Sequence, residues 1–177
     1  MRLTLAPHPE TPCEVVRVIA VEATRAGTGL SLIYEVAGDL TQVKLADPGP
    51  PGRADGLWKH SCLEAFVRAG EGYREINLSP SRKWAVYAFD GYRAGMRNDE
   101  AAELSVLADQ RAPDRYRLTA TLGFADLPGD SDWSVGLSAV IELADGRRCY
   151  WAINHPPGKP DFHHPDAFTL TLPAETP

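Results

Sequence analysis

From residue 14 to residue 172 the chain is cut into short runs in which β-branched and aromatic residues alternate with polar ones. Gly, Pro or Asp separates most runs from the next. A period of two belongs to strands, because successive side chains leave a strand on opposite faces. "EVVRVIAVEATR" (14–25), "GLSLIYEVAGDL" (29–40), "SCLEAFVRA" (61–69), "GYREINLSPS" (72–81) and "KWAVYAFDGYR" (83–93) make a first series. "ELSVLADQR" (103–111), "RYRLTATLGF" (115–124), "WSVGLSAVIEL" (133–143), "CYWAIN" (149–154) and "AFTLTL" (167–172) make a second. Only "FADLPGD" (124–130) hints at a helical turn. Strands do not alternate with helix-length segments, which argues against a parallel, doubly wound fold. About ten strands predict an all-β chain, an antiparallel β-sandwich of jelly-roll or immunoglobulin-like type. Asp145-Gly146 marks a hairpin turn between two of them. With 177 residues, one domain spanning 1–177 is expected.

Charge and composition narrow the partners. The formal net charge is −6, and Lys and Arg are scattered, whereas a nucleic-acid partner needs a basic face. No run approaches the ~20 apolar residues of a membrane helix. "MRLTLAPHPETP" lacks the apolar core of a secretion signal, so a cytoplasmic location is expected. Cys13, Cys62 and Cys149 fit neither zinc nor thioredoxin spacing and read as buried, reduced thiols.

Two irregular stretches, "ADPGPPGRADG" (46–56) and "NHPPGKPDFHHPDAF" (154–168), are long loops, and loops on a rigid sheet are where binding concentrates. The first delivers the chain into "DGLWKHSCLEAF" (55–66). By strand alternation, Leu63, Ala65 and Val67 share a core-like face, while Cys62, Glu64, Phe66 and Arg68 share the other. Tyr73, Glu75, Asn77 and Ser79 share a face of the following run. If the two runs form a hairpin, Glu64 meets Glu75 and Asn77. One reading is a half-exposed sheet face with solvated acids. The other is a ligand surface: aromatic rings stack on the C–H faces of a sugar, and carboxylates and amides take its hydroxyls. Trp58 and Trp151 adjoin loops and are the candidate platforms, with Tyr87 near them; Trp84 and Trp133 begin strands and read as core.

Other constellations carry competing chemistry. His155, Asp161 and His163, with His164, crowd one loop with donors that suit zinc, though at no established spacing. Asp55, Asp90 and Asp161 are calcium candidates without a calcium-loop motif. Met96 with His60 or His155 is the pair to consider for haem. Glu64 and Glu75 would suit a retaining glycosidase if their carboxyls stood about 5 Å apart. Cys62 and His60 share a strand face but lack a third partner for nucleophilic catalysis. A protein-interaction module would instead pack the Trp58 face against a partner.

"DGLWKHSCLEAFV", "YREINLSPSRKWAVYAFDGYRAGM" and "CYWAINHPPGKPDFHHPDAF" together resemble the DOMON-like proteins related to the family 9 carbohydrate-binding module. The resemblance spans residues 55–168 with a divergent stretch between 98 and 133. It implies an antiparallel β-sandwich that binds a small carbohydrate in a surface cleft without cleaving it. Trp58 matches one of two sugar-sandwiching tryptophans, Glu64 a sugar-binding acid and Asn77 a polar residue of the next strand. Trp151 is taken as the second tryptophan. Glu75 departs from the pattern, since that module places an arginine nearby.

Overall fold

The structure, a computed structural model, describes residues 2–174. The described residues are all-β, with three single-turn 3-10 segments among them. Thirteen strands follow one another: β1 (Arg2–Pro7), β2 (Val16–Ala26), β3 (Gly29–Gly38), β4 (Gly52–Arg53), β5 (Cys62–Arg68), β6 (Tyr73–Leu78), β7 (Lys83–Phe89), β8 (Arg97–Asn98), β9 (Ala102–Ala112), β10 (Arg115–Phe124), β11 (Trp133–Glu142), β12 (Arg148–Ala152) and β13 (Leu170–Leu172). Ten of these correspond to the alternating runs. The three added ones are β1, whose Leu3 and Leu5 are too short a pattern to stand out, and the two-residue strands β4 and β8. "FADLPGD" is a plain turn rather than a helix. Asp145-Gly146 does turn β11 into β12, with Gly146 at φ +90°.

Hydrogen bonding joins the strands in the order β4-β7-β6-β5-β11-β12-β1-β2-β3-β10-β9, with β13 on β11 and β8 on β7. Every pairing is antiparallel except the short β4–β7 contact. The sheet curls at β1, whose residues Arg2–Leu5 pair with β2 and whose Ala6 and Pro7 pair with β12. The curl brings both halves onto one apolar cluster: Ile19, Leu32 and Leu118 from one half, Leu63, Ile76 and Leu137 from the other. The Tyr34 hydroxyl on β3 crosses that core and donates to the Glu64 carbonyl on β5 at 2.6 Å.

The two halves differ in their outer faces. β3 and β10 alternate buried with half-exposed residues along their whole length. β5 is buried at every position but the last, and β6, β7 and β11 nearly so. A second layer covers that face. It consists of the turn Leu57–Lys59 and residues 160–168, packed on Phe66, Tyr73, Tyr87 and Phe89. Gly136 makes room for it, since a Cβ there would stand 3.1 Å from the Ala167 carbonyl oxygen. Among the described residues no helix is long and apolar enough to cross a membrane.

Candidate functional site

A cleft of about 350 Å³ opens between the covering layer and the outer face of β5, β6, β11 and β12. Trp58 forms one wall. It sits on the turn Leu57–Lys59, and that turn begins at Gly56, whose φ of +71° lies in the left-handed region that costs glycine least. The indole is half-buried, and its edge meets the Tyr87 ring at 5.6 Å and 80°. Tyr87 is buried and donates its hydroxyl to Asp55 Oδ1 at 2.8 Å, which pins the loop that carries Trp58. Tyr87 therefore buttresses the wall from behind.

The floor comes from the hairpin of β5 and β6. Glu64 is paired across the strands with Asn77 on one side and Ser138 on the other, and Phe66 with Glu75. Glu64 and Glu75 thus lie diagonally on one face, at about 7–8 Å between backbones. Asn77 is fully buried and donates Nδ2 to Glu75 Oε1 at 2.8 Å, while the Cys62 thiol donates to its Oδ1 at 3.5 Å. Glu75 Oε2 faces His163 Nε2 at 3.7 Å. The Tyr73 hydroxyl accepts from the Arg93 backbone N–H at 3.2 Å and meets His163 Nδ1 at 2.8 Å. With the hydroxyl proton given to Nδ1, the imidazole carries its own proton on Nε2, toward Glu75. Two buried oxygens are left over: Glu64 Oε1 and Ser138 Oγ have no partner among the described residues. A buried polar atom without a partner costs about 1–3 kcal/mol; of these two residues Glu64 lines the cleft, so its Oε1 is the point of the floor that a ligand relieves most.

Burial works against charge throughout this floor. It pushes the Glu64 carboxyl well above the usual glutamate range; repulsion from Glu75 adds to this, and the Cys62 thiol offsets it only in part. Glu75 also moves up through burial, against the opposing pull of its Asn77 bond and of the Arg93 charge. Burial, then the nearby Arg93 charge, drives His163 down to about 4. With its imidazole driven down to about 4, His163 is uncharged at neutral pH, so its contact with Glu75 is not an ion pair.

The opposite wall is Val140 and Tyr150, with Phe162 above them; Arg93, Met96 and Arg148 complete the rim. Asp161 clasps the covering loop to the turn after β7, accepting from Arg93 Nη2 at 2.8 Å and from the Tyr92 hydroxyl at 2.5 Å. It also accepts from the His163 backbone N–H at 3.1 Å, which fixes the imidazole over Glu75.

Of the residues expected at a binding surface, Trp58, Glu64 and Glu75 line the cleft, Asn77 lies beneath it and Tyr87 behind it. Trp151 does not belong there. It is 3% exposed and packs in the central core, because β12 turns Cys149 and Trp151 inward and Tyr150 outward. Nor do His155, Asp161 and His163 converge: His155 bonds the Ala6 carbonyl, and the other two are engaged as described. Among the described residues no three His, Cys, Asp or Glu are grouped as a metal ion requires. Asp90 pairs with Arg97, and Asp55 serves Tyr87. Met96 lines the rim, whereas His60 is held by Glu142 and neither His60 nor His155 lines the cleft. Cys62 is fully buried and its thiol is pushed up by burial, the state of an inert thiol.

Comparison with known proteins speaks to the fold. No protein-family model matches the chain, and no curated protein matches its sequence. A solved family 9 carbohydrate-binding module from Caldicellulosiruptor kristjanssonii in complex with glucose matches at a TM-score of 0.55 and 11% identity, over 89% of this chain and 76% of that one. One from the same organism in complex with cellotriose matches at 0.55 and 11%, over 94% and 83%. At that identity the likeness is one of architecture: the curled sheet described above is folded as in a family 9 carbohydrate-binding module.

Proposed function

We propose that the chain is a non-catalytic β-sandwich module of the DOMON-like, family 9 type that binds a small sugar or polyhydroxylated metabolite in the Trp58 cleft. The observation that carries this is the unpartnered Glu64 Oε1 on the floor of a cleft whose wall is a half-buried tryptophan. A sugar ring matches both: its C–H face stacks on Trp58, and its hydroxyls donate to or accept from Glu64 and Glu75. The neighbours in complex with glucose and cellotriose support the choice of ligand class. Two acids on one floor also raise the thought of glycoside cleavage. A retaining enzyme needs one ionised carboxylate beside one protonated acid, whereas burial moves Glu64 and Glu75 in the same direction.

Titration calorimetry against a panel of mono- and disaccharides tests this. Wild type is expected to bind at least one of them and Trp58→Ala to lose it. A wild type inert to the whole panel, or a variant that binds equally well, overturns the proposal.

A further inference from the structure

The rim of the cleft carries more positive charge than the recognition of hydroxyls requires. Arg148 begins β12 on the face that Tyr150 shares, two residues before it. Its cross-strand neighbour is Glu142, the acid that would ordinarily pair with it. That carboxylate is already occupied on both oxygens, Oε1 by Lys44 Nζ at 2.9 Å and Oε2 by His60 Nδ1 at 2.7 Å. Among the described residues Arg148 has no ion pair, and it lines the cleft. The second rim arginine, Arg93, lies in the turn after β7 and is held by Asp161 at 2.8 Å. Arg148 is thus the cation left for a ligand.

The distance along the strands is also suitable. Ser138 lies level with Glu64, and Glu142 with Arg148. Those two levels are four residues apart on β11, about 13 Å, a gap that one arginine side chain and one small ligand fill together.

Resting on the sugar-binding reading of this cleft, we propose that its preferred ligand is an acidic sugar: a single polyhydroxylated ring bearing one carboxylate, with the ring on Trp58, its hydroxyls toward Glu64 Oε1, and its carboxylate on Arg148. A guanidinium suits a carboxylate because its parallel N–H groups match the two oxygens. At an exposed rim the gain is modest and sensitive to salt.

The test is calorimetric titration of the whole chain at low ionic strength with glucuronate, glucose and glucose 6-phosphate. Glucuronate is expected to bind about three- to tenfold more tightly than glucose, with the advantage shrinking as NaCl is raised toward about 1 M. Arg148→Gln is expected to remove that advantage, and Arg148→Lys to retain part of it. Arg148 is exposed, so both variants should fold, and matching thermal melts verify this. Glucose binding as tightly as glucuronate, or an unchanged preference in Arg148→Gln, overturns the inference while leaving the sugar-binding proposal standing. Tighter binding of glucose 6-phosphate assigns the rim to phosphate and overturns the choice of carboxylate. If neither neutral nor acidic sugars bind, the sugar-binding proposal itself falls.

Discussion

The two halves of the sheet both put alternating apolar residues into one core, yet they use their outer faces differently. Along β3 and β10, inner residues are buried and outer ones half-exposed, so the outer face is a solvated surface with charges paired across it, such as Arg2 and Arg117 on Glu35. Along β5 and β6 both faces are buried, but they are not equivalent. The inner one is apolar except for Arg74 at its end, which pairs with Asp99 and Asp126. The outer one holds Glu64, Glu75, Asn77 and Ser138, and two of their oxygens lack partners. Burial alone therefore does not separate core from site. Polar atoms buried at a cost, and left open at a cleft, do.

Substitutions can break that contrast or sharpen it. Phe66→Ala removes a ring that is 1% exposed and anchors the covering layer, so it should lower unfolding stability by about 3–5 kcal/mol in chemical denaturation. A small loss would mean that the layer is not packed as a second core. Trp58→Ala should weaken sugar binding by more than about 2 kcal/mol, as loss of a central aromatic anchor does, with little change in melting temperature; a collapse of stability instead would make Trp58 a packing residue.

Glu64→Gln addresses charge. Burial raises the native carboxyl above its ordinary value of 4.5. Below that value it is neutral in both states and its contribution is whole. As pH rises the unfolded chain ionises first, and stability falls until the native group ionises too. The wild type should thus lose up to about 1.4 kcal/mol per pH unit from this group above pH 4.5. Glu64→Gln should lack that component in denaturation curves collected across the range, and an unchanged slope would show that Glu64 is ionised in the native state. Trp151→Phe should cost about 1 kcal/mol of stability and leave sugar affinity alone, as expected of a core residue. Thr119→Ala, on the outer face of β10, should stay within about 0.5 kcal/mol of wild type.

Much of this was legible from alternation. The shared face of Glu64 and Phe66, the shared face of Glu75 and Asn77, and the hairpin that joins them follow from a period of two. The same rule fails for Trp151, and the reason is physical. In "CYWAIN" both parities are apolar, and β12 is covered on both sides, so periodicity carries no information about which parity faces inward. Arg93, Arg148, Phe162 and His163 enter the cleft through tertiary packing rather than local pattern. The Pro-rich loop around His163 did stand out in the sequence, but as a crowd of possible metal ligands. What it supplies is a lid residue held by Asp161 and Tyr73. β1 carries a pattern only two leucines long, too short to mark a strand, although it joins both halves.

That joint has a consequence for synthesis on the ribosome. β2 can hydrogen-bond to β1 almost as soon as it emerges. The segment that meets the other end of β1 arrives far later: His155, which bonds the Ala6 carbonyl, lies 149 residues downstream. At about 5–20 residues per second this is a delay of about 7–30 s. For that interval β1, paired only with β2, leaves its edge at Ala6 and Pro7 open, and a chaperone or a neighbouring nascent chain has its opportunity there before β12 arrives.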